Sequence, residues 1–301
     1  MIEVRGLTKR YGNRAVVDDL TFRVRPGAVT GFLGPNGSGK TTTARMILGL
    51  TEPDSGTATI GARRYRDLAH PLREIGAVID PGGVNPARTA VEHLRWLAAA
   101  NRLPRRRAAE VLSLVGLDAV AGRKVGGFSL GMRQRLGIAA ALVGDPPVLL
   151  FDEPINGLDP EGIRWIREFM QGLAAEGRTV FVSSHLMSEM ALTASELIVI
   201  GRGRLIAAES MSAFTERADS SVRVRSPRLD VLAAALVDEG ASLWRDGDAL
   251  EVAGVSIEQV GMIAMEFGVP LYELSPQRAS LEEAFMRLTA DVSDHVAERA
   301  A

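Results

Sequence analysis

The 301-residue sequence contains no cysteine, which excludes a disulfide framework, a cysteine-held iron–sulfur cluster and a cysteine nucleophile. Aromatic residues make up only 5%, and the longest apolar runs fall far short of the ~20 residues that a membrane helix requires. Neither sign of charge dominates: 35 basic and 37 acidic residues give a net charge of -2, so the chain has no global attraction for nucleic acid or anionic lipid. Only three of the basic residues are lysines, namely Lys9, Lys40 and Lys124.

The rest of the composition is that of a folded protein. Hydrophobic residues make up 46% and charged residues 24%, which is too apolar for a disordered chain, and the length suffices for about two domains. The N-terminus lacks the charged stretch and apolar core of a signal peptide. We therefore expect a cytoplasmic protein that does not insert into a membrane by itself, while docking on an integral membrane partner stays open.

Strand and helix patterns alternate through the first 215 residues. Compact apolar runs at residues 28–33, 148–151 and 179–183 are typical of buried strands. Short strands separated by turns fill roughly the first 60 residues, and apolar residues at helical spacing dominate residues 85–145. Together these patterns predict an α/β fold with a helical insertion.

The C-terminal part of the sequence has a different organisation. A polar stretch at Thr215–Ser220 predicts a boundary between a domain over residues 1–215 and a second over residues 216–301. Beyond the boundary, short strand patterns alternate with helical ones, which predicts a small α+β domain. A final helix is expected at Ser280–Leu288, because this segment begins with a capping-box sequence.

The segment Gly34–Thr41, with the sequence GPNGSGKT, carries the strongest chemical signal. It matches G-x-x-x-x-G-K-[ST] and lies between an apolar strand pattern and a helical pattern, which is the context expected of a P-loop. The backbone N–H groups of such a loop bind phosphate, helped by the N-terminus of the following helix. We expect Lys40 to reach the β- and γ-phosphates and the Thr41 hydroxyl to bind Mg²⁺.

Two adjacent carboxylates follow a second apolar run. Asp152 and Glu153 come directly after Val148–Phe151, and ligands of α/β folds bind at the carboxyl ends of strands. We expect Asp152 to hold Mg²⁺ through its water shell and Glu153 to polarise the attacking water. Together with the loop that contains Lys40, this pair indicates nucleotide hydrolysis.

The segment Phe128–Arg135 completes a resemblance to the ABC ATPase family, the nucleotide-binding domains of ABC transporters. It aligns with the family signature LSGGQ: Ser129 and Gly131 match, whereas Leu130 and Met132 replace a glycine and a glutamine. The resemblance implies that this segment begins a helix and binds the γ-phosphate of the ATP that a second protomer holds.

The same resemblance assigns roles to isolated residues. His185 stands at the position of the switch histidine that contacts the γ-phosphate, and Tyr11 at the position of the aromatic residue that stacks on adenine. Asp159 lies in the D-loop position and would touch the partner protomer. Asp80 occupies the Q-loop position, where the family usually has glutamine, and its carboxylate would contact Mg²⁺ or water.

The expected site binds ATP and Mg²⁺ and consists of three sets of residues. The catalytic set is Lys40, Glu153 and His185, and the metal set is Thr41, Asp80 and Asp152. The nucleotide-binding set is Tyr11, Gly34, Pro35, Asn36, Gly37, Ser38, Gly39, Lys40, Thr41, Thr42, Asp80, Ser129, Gly131 and Asp159.

The resemblance covers about residues 1–215 and implies a P-loop NTPase core with an antiparallel β subdomain. It also implies an ATP-hydrolysing subunit that energises transport through a separate integral membrane permease. Two copies would enclose two ATP molecules in a homodimer, held at the inner face of the cell membrane by the permease. Residues 279–289 resemble the C-terminal extension of daunorubicin-resistance exporters, so we expect export of a drug or lipophilic natural product. Nucleic acid is not an expected partner.

Two other classes of protein stay open. ABC ATPases that act on ribosomes or nucleic acid usually carry two cassettes or a long coiled coil, whereas this sequence has one P-loop and no sustained heptads. The second alternative is an ATP-binding regulatory module with little turnover. The residues Asp80, Leu130 and Met132 favour it, while Glu153 and His185 argue against it.

Overall fold

The computed structural model describes residues 1–79, 83–218, 221–277, 281–282 and 284–286. Contacts divide the chain into two units, Met1–Glu209 and a second that begins at Ser210. The division lies a few residues before the boundary that the sequence predicts, and that predicted boundary falls inside a helix, Met211–Ala218. Each unit is described by itself.

The first unit contains nine strands, arranged in two sheets, and seven α-helices among its described residues. Its elements are β1 (Ile2–Tyr11), β2 (Arg14–Val24), β3 (Val29–Leu33), α1 (Lys40–Ile47), β4 (Ser55–Ile60), α2 (Pro71–Glu74), β5 (Ile75–Val78), α3 (Ala90–Ala100), α4 (Arg107–Leu114), α5 (Leu130–Leu142), β6 (Val148–Asp152), α6 (Pro160–Ala175), β7 (Thr179–Ser184), α7 (Met187–Thr193), β8 (Glu196–Gly201) and β9 (Arg204–Ser210).

Six strands form the central sheet in the order β5-β6-β7-β3-β8-β9, and the pairs β5–β6, β6–β7, β7–β3 and β3–β8 are parallel. Every residue of β3, β6 and β7 is buried, as expected of strands that are covered on both faces. This arrangement places the carboxyl ends of β3, β6 and β7 at one edge of the sheet.

The second sheet of the unit is antiparallel, in the order β2-β1-β4. It packs on the central sheet through aromatic rings: the ring of Phe22 lies 5.5 Å from that of Phe32 and 5.7 Å from that of Phe181. All three side chains are buried. The antiparallel β subdomain expected from the sequence is therefore present, and its packing brings β2 against the loop that follows β3.

The helices α3, α4 and α5 form the expected insertion between β5 and β6. Thr89 and Glu92 form a capping box at the start of α3, and the Ser129 hydroxyl accepts a hydrogen bond from the backbone of Met132 at the start of α5. The guanidinium of Arg107 donates to the carbonyl of Leu142 at 2.9 Å, which ties α4 to the C-terminal end of α5. The helix that begins with the signature segment is thus fixed at both ends.

The second unit is a small α+β fold. Its elements are α8 (Met211–Ala218), β10 (Ser221–Arg225), α9 (Leu229–Asp238), β11 (Ser242–Asp246), β12 (Ala249–Ala253), α10 (Ile257–Glu266) and β13 (Glu273–Gln277). The strands form an antiparallel sheet in the order β11-β12-β10-β13, and buried side chains of α9 and α10 complete one hydrophobic core with it.

Two sequence-based expectations concern the end of the chain and membrane insertion. Of the expected helix Ser280–Leu288, residues 281–282 and 284–286 are helical, and the other residues lie outside the described part of the chain. Among the described residues, no helix has the length and apolar character that crossing a bilayer requires.

Candidate functional site

The loop between β3 and α1 has the tight geometry of a phosphate cradle. A Cβ atom on Gly34 would lie 2.5 Å from both the carbonyl oxygen of Ile200 and the hydroxyl of Ser38, so no larger residue fits there. Gly39 has a φ of +104° and would place a Cβ 2.6 Å from the carbonyl oxygen of Val16. The sheet edge thus requires glycine at both ends of the loop, and the Ser38 hydroxyl is buried there without a hydrogen-bond partner in the described structure.

Lys40 begins α1 and turns its ammonium group back over this loop. The side chain is only 6% exposed, and Nζ donates to the carbonyl of Gly34 at 2.6 Å. Nζ also lies 3.3 Å from Oε1 of Glu153. A compact cation on a flexible stem can therefore exchange between the loop, the carboxylate and a phosphate group.

The carboxylates stand at the carboxyl end of β6, directly beside the end of β7. Asp152 is buried, and Glu153 has a φ of +49°, a left-handed conformation that is uncommon for glutamate. Oε2 of Glu153 lies 2.9 Å from Nδ1 of His185, which follows β7. Glu153 therefore stands between Lys40 and His185, so the residues of the expected catalytic set are in contact with one another.

A cavity of about 280 Å³ opens over this group. It is lined by Val16, Asn36, Gly37, Gly39, Lys40, Thr41, Thr42, Glu153, Asn156 and His185. Val16 and Asn156 are outside the predicted site set. The sequence around Val16 does not indicate a role for it, because its place in the site depends on how β2 packs. Asn156 could have been predicted from the sequence, because it lies in the D-loop segment.

The signature and D-loop residues line a different cavity, of about 560 Å³. Ser129, Gly131 and Asp159 are all part of its wall. A Cβ atom on Gly157 would lie 2.5 Å from the side chain of Leu130, so the leucine that replaces the family's glycine occupies the space beside the D-loop. Within one chain, these residues are thus assembled with one another rather than with Lys40.

Tyr11 lines neither of these two cavities. Tyr11 ends β1 with 55% of its surface exposed, and the ammonium of Lys9 lies 5.7 Å from the centre of its ring. Such an exposed ring is available for stacking on a base. Asp80 lies outside the described residues, so its role as a ligand stays a prediction.

The described residues contain no cluster of three or more histidine, aspartate or glutamate side chains that would hold a metal by itself. Mg²⁺ commonly takes one or two protein ligands and completes its octahedron with phosphate oxygens and water. Thr41, in the wall of the smaller cavity, and Asp152, at the end of β6, are donors of the kind that such an ion uses. The donor set fits a metal that arrives with a nucleotide.

A glycine cradle at the end of a parallel strand, a buried lysine and a glutamate at the end of a neighbouring strand define an ATP-binding cassette of the P-loop class. The sequence model of the family described as "ABC transporter" matches residues 17–156. A model described as "Domain of unknown function (DUF8746)" matches residues 220–282.

Curated relatives of this chain are ATP-binding proteins of transport systems. The chain is 35% identical over 98% of both sequences to an uncharacterised ABC transporter ATP-binding protein, YhcH, of Bacillus subtilis. It is 43% identical to the bacitracin transport ATP-binding protein BcrA of Bacillus licheniformis, over 68% of each chain. It is 42% identical to the Nod factor export ATP-binding protein I of Ralstonia nicotianae, over 69% of this chain and 66% of that protein. The chain belongs to the family of ABC transporter ATP-binding proteins.

Solved structures agree with this family in fold. The dimeric structure of MJ0796, a bacterial ABC transporter cassette, has a TM-score of 0.64 and 28% identity, covering 70% of this chain and 99% of that one. A post-hydrolysis structure of the same cassette with ADP and Pi has a TM-score of 0.63 and 27% identity, with the same coverage. The chain is accordingly an ATPase with the fold of an ABC cassette, as the sequence predicts.

Proposed function

We propose that this chain hydrolyses Mg²⁺–ATP as one of two copies that drive export through a separate integral membrane permease. The observation that carries the proposal is the contact of Glu153 with both Lys40 and His185 at the mouth of the smaller cavity. This contact gathers a phosphate-binding cation, a carboxylate base and a histidine at one point. A site that only held ATP would not need the base.

Each residue of the group has a distinct part in hydrolysis. The backbone of the loop and Lys40 bind the phosphates, and Glu153 orients and polarises a water for in-line attack on the γ-phosphorus. His185, which lies 2.9 Å from Glu153, stabilises the charge that develops on the γ-phosphate. Thr41 and Asp152 would hold Mg²⁺, which supplies positive charge to the β- and γ-phosphate oxygens when it is bound.

The residues of the larger cavity are those that we assign to contact with the second copy of the chain. Ser129 and Gly131 stand at the N-terminus of α5, where free backbone N–H groups and the helix dipole favour an anion. Since they line a cavity other than the one beside Lys40, we assign them to the ATP held by the partner chain. Asp159 would contact the partner chain, and Tyr11 would stack on adenine. A twofold dimer would then contain two composite sites, each with the loop and base of one copy and Ser129 and Gly131 of the other.

The permease and the direction of transport are inferred from similarity. BcrA and the Nod factor protein are named for transport of bacitracin and for export of Nod factor, and they align with 68% and 69% of this chain. By analogy, we assign this chain to export of a drug or lipophilic natural product. Its place would be the inner face of the cell membrane, where the permease holds it.

Affinity purification from detergent-solubilised membranes tests this function. A tagged chain should bring down an integral membrane protein in near-stoichiometric amount, and the complex should release phosphate from ATP only when Mg²⁺ is added. The same purification with Lys40→Ala should yield the membrane protein without ATPase activity. This control separates assembly from catalysis.

Two outcomes would contradict the proposal. Recovery of ribosomes or nucleic acid in place of a membrane protein would favour the non-transport class of ABC ATPase. A membrane complex that binds ATP and releases no phosphate would favour the regulatory module.

A further inference from the structure

Ser183, the fifth residue of β7, lies beside the carboxylate of Asp152 and the backbone of Glu153. The parallel pairing of β6 and β7 sets it directly beside Asp152, and its side chain is only 3% exposed. No motif identified in the sequence assigns it a role. Its neighbours nevertheless are the expected metal ligand and the residue that carries the base.

The Ser183 hydroxyl uses both of its hydrogen-bonding capacities on those neighbours. It donates a short hydrogen bond to Oδ1 of Asp152 and accepts one from the backbone N–H of Glu153 at 2.9 Å. A hydroxyl has one proton to donate, and here the acceptor is a carboxylate, which makes this a strong type of hydrogen bond. One side chain thus fixes a carboxylate and a backbone segment at the same time.

Both bonds restrain groups whose direction matters. The bond to Oδ1 fixes the rotation of the buried Asp152 carboxylate. The bond from the Glu153 N–H holds the backbone at the residue whose φ is +49°, an unfavourable conformation for glutamate that needs support from its surroundings. That backbone conformation directs the Glu153 side chain toward Lys40 and His185.

We propose that Ser183 is a positioning residue that sets Asp152 for Mg²⁺ and Glu153 for the attacking water through one buried hydroxyl. The proposal rests on the roles that the proposed function gives to Asp152 and Glu153. Because both restraints come from the same group, loss of the hydroxyl weakens the response to Mg²⁺ and slows hydrolysis together.

An isosteric pair of variants isolates the hydroxyl. Ser183→Thr keeps it, whereas Ser183→Val places a methyl group of the same shape where the hydroxyl would be. ATP binding is titrated by fluorescence of a labelled ATP, first in EDTA and then at increasing Mg²⁺ concentration. In EDTA, all variants should bind ATP like the wild type, because the loop and Lys40 are unchanged.

With Mg²⁺ present, the two variants should diverge. Removing a hydrogen-bond partner of a metal ligand typically costs about 10- to 100-fold in metal affinity or activity. Ser183→Val should therefore need about tenfold more Mg²⁺ for the same gain in ATP affinity, and its kcat should fall by at least about tenfold. Ser183→Thr should stay close to the wild type in both measurements.

Thr30→Val is the matched control. Thr30 lies on the neighbouring strand β3 with a hydroxyl that is equally buried and has no hydrogen-bond partner in the described structure. Its removal should leave the Mg²⁺ dependence and kcat unchanged. Thermal unfolding of every variant is recorded, so that a general loss of stability is distinguished from a loss of Mg²⁺ response.

Equal Mg²⁺ dependence in Ser183→Thr and Ser183→Val would overturn the proposal, because the hydroxyl would then make no difference. Failure of the proposed function would give a different result, because the wild-type chain would then release no phosphate in its membrane complex. The binding titration does not depend on turnover, so it tests Ser183 in either case.

Discussion

At the scale of the residue, Lys40 shows why a chain that uses arginine almost everywhere keeps a lysine here. Its ammonium donates to the carbonyl of Gly34 and lies 3.3 Å from the Glu153 carboxylate. The residue is only 6% exposed to solvent. A planar guanidinium would need more room and would fix a fork of donors in one plane. The point charge instead serves several acceptors in turn.

Replacing Lys40 by alanine should remove most of the affinity for ATP. Hydrogen bonds to charged groups contribute about 1.5–3 kcal/mol, which corresponds to a loss of about 10- to 100-fold. Isothermal titration with ATP measures the change. Lys124→Ala is the control, since Lys124 is exposed in the helical insertion, and it should bind ATP like the wild type. Unchanged affinity in Lys40→Ala would contradict the assignment of the loop.

At this scale, local motifs in the sequence are enough to propose Lys40, Glu153 and His185 as site residues. The structure adds that Glu153 contacts both of the others, which the motifs alone do not give. Ser183 and Val16 could not be predicted in the same way. Their place in the site depends on which strands pair and how the two sheets pack, and neither is encoded in nearby residues.

At the scale of the element, β5 and α5 show how closely a strand and a helix approach. A Cβ atom on Gly76 of β5 would collide with the backbone of Ala141 in α5, so the pair packs without a side chain between them. Gly172, in α6, has nothing within 4 Å of its Cβ position. The two glycines therefore differ in what they contribute to the fold.

Alanine at these two positions should have opposite effects. Gly76→Ala forces α5 away from the sheet and should lower the free energy of unfolding by about 1–3 kcal/mol. Gly172→Ala removes a flexible residue from a helix interior and should raise it by about 0.5–1 kcal/mol. Urea denaturation measures both. A Gly76→Ala protein as stable as the wild type would show that β5 and α5 do not pack this closely.

The helix α3 carries a buried histidine that makes the stability of the insertion depend on pH. Burial, and secondarily the charge of Arg88, lowers the pKa of His93 below its ordinary value. The unfolded chain then binds the proton more readily than the folded one, so stability is lost as the pH falls through the unfolded value of about 6.5. Above that pH the residue is neutral in both states and contributes no pH dependence.

His93→Gln should therefore reduce the loss of stability between about pH 7.5 and about pH 5.5, which lie on either side of the ordinary histidine pKa of about 6.5. One proton accounts for at most about 1.4 kcal/mol per pH unit. Denaturation at both pH values gives the difference, and His70→Gln, at an exposed position, is the control. The same pH dependence in His93→Gln and the wild type would contradict this origin.

Elements with strong periodicity are recovered from the sequence, and short or context-dependent ones are not. The helix Leu130–Leu142 and the strand Val148–Asp152 appear almost where expected. The strand Ser242–Asp246 was not expected, because Trp244, Arg245 and Asp246 give it no alternating pattern and only its pairing with β12 defines it. At ten residues, Ile2–Tyr11 is longer than the short strands expected in this region, because it pairs with β2 along its length.

At the scale of the whole molecule, the proposed function makes the two cavities of the ATPase unit complementary halves of one composite site. The smaller holds the P-loop and base, and the larger holds Ser129, Gly131 and Asp159. In a twofold dimer the smaller cavity of one copy would meet the larger cavity of the other. Each ATP would then join two chains, which makes dimer formation depend on bound nucleotide.

Glu153→Gln tests this dependence directly. The amide keeps the size of the side chain and leaves the loop and Lys40 in place, but it no longer acts as a base, so ATP binds and is not consumed. We expect a dimer that persists with Mg²⁺–ATP and dissociates with ADP, with hydrolysis lowered by at least about 100-fold. Light scattering coupled to gel filtration measures the mass in each state.

Adding Ser129→Arg to the same chain places a bulky cation on the surface that meets the partner's ATP and should leave a monomer. An ATP-bound Glu153→Gln chain that is monomeric, in the presence and absence of the permease, would contradict the shared site.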